Sequence, residues 1–167
     1  MTPINKTPTI TYRIIIFMIL IHFVPMVKEI VYNFENIFIS KLILPFIHIN
    51  NIHLFQNCFA FYNMHYIELI ISQSKYIIML LFIIIMNTII QIIYNKITNY
   101  NDNAIGFSSV LFGLMTIYPS THFFGQHIIK KYYPYYMLIL TYILMPYSPL
   151  IGNLIGIFSG YIYLFLC

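Results

Sequence analysis

Of 167 residues, 60% are hydrophobic and only 7% charged, with a mean hydropathy of +0.83; soluble domains carry about a quarter of their residues as charges, so an integral membrane protein is indicated. The net charge of +4 is spread over short connections without a basic run, which excludes the usual footprint of nucleic-acid binding. Two cysteines, Cys58 and Cys167, supply neither a disulfide framework nor a CxxC metal site.

In chain order, "MTPINKTPTITYRIII" sets a basic flank before an apolar run without a small-residue cleavage site, so the run reads as a retained anchor. Apolar segments at 12–27, 51–71, 76–95, 104–119, 133–146 and 150–167 predict six helices, several near the roughly 20 residues a bilayer crossing needs. The fifth is short and bounded by Pro134 and Pro146, leaving five crossings plus a re-entrant piece as the alternative. The long connection "KEIVYNFENIFISKLILPFIHINN" is apolar enough to lie in the interface. No repeat or linker divides the chain, so residues 1–167 read as one all-α, polytopic membrane domain.

Basic residues in short connections set the orientation. Lys6, Arg13, Lys75, Lys130 and Lys131 fall on one side and Lys28, Lys41 and Lys96 on the other, which predicts both termini in the cytosol. The sequon Asn5-Lys6-Thr7 then never meets a lumen. With that topology the second, fourth and sixth helices all enter from the non-cytosolic side. Their starts, "NNIHLFQNCF", "AIGFSSVLFG" and "LIGNLIGIFSG", bring His53, Asn57, Ser108 and Asn153 to one depth. Polar side chains there face a bundle interior or a cavity. Each also has a plain structural reading. Ser108 and Ser109 can bond back to a helix carbonyl, His53 and Asn57 can pair between helices, and Gly152, Gly156 and Gly160 form GxxxG steps for close packing.

Taken together and in order, "HLFQN", "GFSSVLFG" and "GNLIGIFSG" resemble the rhomboid family of intramembrane serine proteases, most of all its small eukaryotic six-helix members. "KLILPFIHINNIHLFQN" is similar to the family's basic, Pro-Phe and His segment before the second helix, and the resemblance runs from about Lys41 to Tyr163. It implies a six-helix rhomboid-like bundle that cleaves transmembrane segments of membrane-protein substrates in a water-filled cavity within the lipid bilayer. It also implies Ser108 as nucleophile, with the Ser108 backbone N–H, His53 and Asn57 as the oxyanion hole. Gly106 would let the backbone open beside the serine, and Gly152, Gly156 and Gly160 would pack the sixth helix against the fourth. No cofactor or metal is implied.

One departure decides the expected activity: where active members carry the general-base histidine, this chain has Asn153. An amide does not titrate near neutral pH and cannot take the proton of Ser108. Ser109 stands where the family has its second glycine, and the Trp-Arg pair common in the family's first loop is missing. The expectation is a catalytically impaired rhomboid that binds the transmembrane helices of client proteins, as inactive rhomboids and derlins are thought to do. A working protease at Ser108 and a small channel or transporter subunit are the alternatives. Against the last, no carboxylate or basic residue joins the polar cluster and no inverted repeat is visible. An endomembrane such as the ER is favoured over the plasma membrane.

Overall fold

The computed structural model describes residues 7–33, 38–99, 105–119, 122–123, 126–127, 132–144 and 149–167. Asn5, Lys6, Lys130, Lys131 and Pro146, on which parts of the topology argument rest, lie outside them.

Each of the six apolar segments contains helix, with shifted ends. The first is α1, Thr9–His22, which stops five residues short of expectation because the chain turns at Phe23 and Val24 and Pro25 opens α2, Pro25–Asn33. A proline has no N–H to continue a helix but suits the first position of a new one. The expected interfacial connection contributes α2, then α3, Phe38–Ile43, then a 3-10 turn, Leu44–Phe46. The second segment divides into α4, Asn51–Asn63, and α5, Tyr66–Ile70. Asn50 caps α4 by accepting from the His53 N–H at 2.8 Å. The stretch Phe38–Phe46 meets Asn51–Ile70 at 82°. The third segment is α6, Gln73–Thr98, the one described helix long and apolar enough to cross a membrane by itself. The remaining three are α7, Ser108–Ile117, α8, Tyr133–Leu144, and α9, Leu150–Leu166. Among the described residues the only extended pairing is a two-residue antiparallel bridge, β1, His122–Phe123, with β2, Gln126–His127. The fold is all-α apart from this.

The burial pattern is that of a protein in hydrocarbon. On α6 the buried stripe Met79, Ile83, Asn87 and Gln91 becomes polar toward its C-terminal half, while Ile78, Leu81, Ile85, Ile89 and Ile93 face outward. On α9 the interior holds Gly152, Asn153, Gly156, Ser159 and Gly160, while Leu154, Phe158, Leu164 and Phe165 are outside. Water would reject so large an apolar surface, but lipid accepts it and leaves the polar groups to the interior.

α7 is the centre, with Ser109 through Thr116 all buried. It lies against α9 along a seam of small residues. A Cβ on Gly156 would fall on the Ser109 carbonyl oxygen and 2.8 Å from its carbon, and one on Gly160 would lie 2.7 Å from the Gly113 oxygen and 2.7 Å from Thr116 Cβ. Since 156 meets 109 and 160 meets 113, the two helices run parallel in register, with their backbones as close as glycine permits. Elsewhere Glu68 of α5, only 2% exposed, closes the N-terminus of α1. Its carboxylate accepts from the N–H groups of Ile10 and Thr11 and from Thr11 Oγ1, each at 2.8 Å. The two N–H groups are among those a helix start leaves without an intrahelical acceptor.

Candidate active site

The starts of α4, α7 and α9 converge. Gly106, in the entry to α7, has φ +101°, a conformation only glycine adopts without strain, and its N–H donates to the Leu44 oxygen at 3.2 Å. The 3-10 turn therefore holds the α7 entry in place. A Cβ on Gly106 would lie 2.5 Å from His53 Cε1, 2.8 Å from His53 Nε2 and 3.5 Å from Asn57 Nδ2. The absent side chain is what lets the His53 ring and the Asn57 amide rest on this backbone.

His53 and Asn57 are one turn apart, and Asn57 Nδ2 donates to the His53 carbonyl at 3.0 Å. An amide nitrogen has two hydrogens, so one donor of Asn57 is not used by this bond. His53 is half-buried and its ring meets that of His48 edge-on, with centroids 5.2 Å apart. His48 is fully buried and its Nδ1 donates to the Phe46 carbonyl at 3.2 Å, which fixes the tautomer. His22, at the end of α1, donates from Nε2 to Asn51 Oδ1 at 2.8 Å. The His53 ring packs on the α7 entry.

Ser108 is half-buried at the first position of α7, two residues after Gly106. A helix leaves its first N–H groups without intrahelical acceptors, so the backbone here presents donors. Asn153 is 1% exposed, in the first turn of α9. It precedes Gly156 by three residues, and Gly156 crosses α7 at Ser109, so Asn153 stands about one turn back from that crossing, at the level of the α7 entry.

Sequence reasoning missed a polar wall behind this entry. Lys41 of α3, Asn87, Thr88 and Gln91 of α6, Ser109 and Gly152 line a partly open cavity of about 30 Å³, enough for roughly two waters. Asn87 is 5% exposed and neither its Nδ2 nor its Oδ1 has a partner in the protein. Buried amides are normally satisfied by protein or water. The signal was present as Asn87, Thr88 and Gln91 on one side of an otherwise apolar helix. Ser109 of α7 and Gly152 of α9 thus border polar side chains of α3 and α6. No group of three or more His, Cys, Asp or Glu among the described residues is arranged to hold a metal.

The start of α4 thus packs on the α7 entry, and α9 runs along α7. Residues 35–167 match the rhomboid domain family, which is more than half of the chain. The chain belongs to the rhomboid family. Over 110 residues it is 28% identical to a protein of Acanthamoeba polyphaga mimivirus named as a rhomboid protein. That match covers 65% of this chain and 63% of the relative, so less than two thirds of the relative's length is spanned. No solved structure matches. Membership of the rhomboid family makes this an integral membrane protein and accounts for the outward apolar faces of α6 and α9.

Proposed function

We propose that this rhomboid has lost most of its proteolytic capacity and acts by binding transmembrane helices of client membrane proteins. The observation that carries the reading is Asn153, enclosed at the head of α9 level with the α7 entry, where the family motif has its histidine. For Ser108 Oγ to attack a carbonyl its proton must go to a base, and later return to the leaving amine. A carboxamide performs neither transfer. Losing such a member of a catalytic dyad or triad costs about 10⁴ to 10⁶ in turnover. What remains is a polar pocket in a membrane-embedded bundle. The Ser108 N–H and the donors of His53 and Asn57 would receive a carbonyl of a client helix that is kinked or unwound, a ground-state use of the oxyanion site. Both termini are assigned to the cytosol and the membrane to an endomembrane such as the ER.

A residual protease is the second reading, and the feature that favours it is the retention of Ser108 beside the His53 and Asn57 donors. Labelling with a serine-reactive phosphonate in liposomes separates the two. Under the first reading the wild type labels no faster than Ser108→Ala, and Asn153→His restores both labelling and cleavage of a reporter helix. Ser108-dependent cleavage by the wild type at rates within about tenfold of Asn153→His would overturn it.

A further inference from the structure

Gln56 of α4 is a polar side chain beside the site that the binding described above does not use. It is half-buried, its Oε1 is enclosed, and that oxygen has no hydrogen-bond partner among the described residues. Polar groups at membrane depth are costly unless paired, and those retained there mark the paths of substrates and ligands. A glutamine amide offers an acceptor at Oε1 and two donors at Nε2. An enclosed acceptor without a donor gains by turning toward one, and the long side chain of Gln56 has the torsions to do so.

Helix geometry places the residue. At about 100° and 1.5 Å per residue, Gln56 lies about 60° round α4 from His53, on the side away from Asn57, and about 4.5 Å further along the axis. The positions that meet α1 are about 120–140° away from it: Asn51 bonds His22 at 2.8 Å, and the Tyr62 ring lies 6.2 Å from that of Tyr12. On its outer side Gln56 is bordered by Ile52 and Phe59, 69% and 59% exposed. It therefore stands where the lipid-facing stripe of α4 meets the His53 flank, while α1 covers the other flank. A helix that comes from lipid to His53 and Asn57 along the uncovered flank passes Gln56.

We propose that Gln56 hydrogen-bonds the backbone of an unwound stretch in a client's transmembrane helix, accepting from an N–H at Oε1 and donating from Nε2 to a C=O. This rests on the client-binding reading above and adds the group that selects among clients. An intact helix satisfies its own backbone, so in hydrocarbon it has nothing to offer the amide. A broken helix carries N–H and C=O groups without partners, and a carboxamide complements both.

The test measures energy transfer in liposomes between the dye-labelled full chain and labelled synthetic transmembrane peptides, one of leucine throughout and one interrupted by a central Gly-Pro pair. Gln56→Met keeps the length of the side chain and removes both polar ends, and thermal unfolding checks that it folds. Wild type should bind the interrupted peptide about two- to tenfold more tightly than Gln56→Met does, the span of one neutral hydrogen bond, and the two should not differ on the leucine peptide. Esters in place of successive amides beside the Gly-Pro pair then remove one N–H at a time. At one position the ester should weaken binding to the wild type by a similar factor and leave Gln56→Met unchanged. Equal affinity of the two chains for the interrupted peptide, or esters without effect on the wild type at every position, overturns the role of Gln56 and leaves the client-binding reading standing. Binding of neither peptide by the wild type overturns both.

Discussion

Replacing Gly156 with alanine is the smallest change that tests the α7 and α9 seam. The new Cβ would lie 2.8 Å from the Ser109 carbonyl carbon, about 0.6 Å inside the 3.4 Å of ordinary contact, and nearer still to its oxygen. Backbone within a packed helix cannot swing aside as a side chain would. The helices must separate, and overpacking of this kind costs about 1–3 kcal/mol, here at the upper end. Alanine returns about 1 kcal/mol of helix propensity relative to glycine, so the net loss is about 2 kcal/mol, or a fall of about 4–8 °C in Tm for a chain of this size. Thermal unfolding in micelles, followed by circular dichroism or by a thiol-reactive dye at half-buried Cys58, reads this directly. The clashing atoms belong to the Ser109 backbone, so adding Ser109→Gly should not rescue the variant. An unchanged Tm for Gly156→Ala, or full rescue by Ser109→Gly, would show that the helices do not meet backbone to backbone.

Four further outcomes follow from single positions. Gly106→Ala combines a positive φ with contact on the His53 ring; strain of this type costs about 1–3 kcal/mol, and in the Asn153→His background phosphonate labelling should be lost even where the protein remains folded. Phosphonate labelling of Asn153→His should rise with pH as the introduced imidazole loses its proton, because only the neutral ring accepts the serine proton, whereas the wild type should show no such dependence. Glu68→Ala leaves three donors of the α1 start without their carboxylate, and at about 1–3 kcal/mol for a buried group left unsatisfied it should lower Tm more than Glu68→Gln does. Asn87→Leu replaces an amide that has no partner in the protein with an apolar side chain, so Tm should hold or rise; a clear drop would mean that water in the adjacent cavity satisfies the amide.

The class of the protein was legible in the sequence because lipid imposes a compositional demand no tertiary detail can relax: long apolar runs and few charges. So were the six helical segments and the motif residues, since "HLFQN", "GFSSVLFG" and "GNLIGIFSG" carry side chains that an apolar helix has no local reason to keep. Helix ends were less legible. α1 ends at His22 because the chain turns there and Pro25 opens a new helix, and Asn63 ends α4 before a turn whose bonds are local, neither of which periodicity reports. Asn87 and Gln91 were overlooked because polarity on one side of α6 acquires meaning only once Lys41 of α3 and Ser109 of α7 are known to share its cavity. Sequence by itself thus determined the solvent, the helical class and the substitution at Asn153. The tertiary structure decided what glycine is for: the missing side chains of Gly106, Gly156 and Gly160 let His53, Ser109 and Gly113 approach to distances that no residue with a Cβ allows.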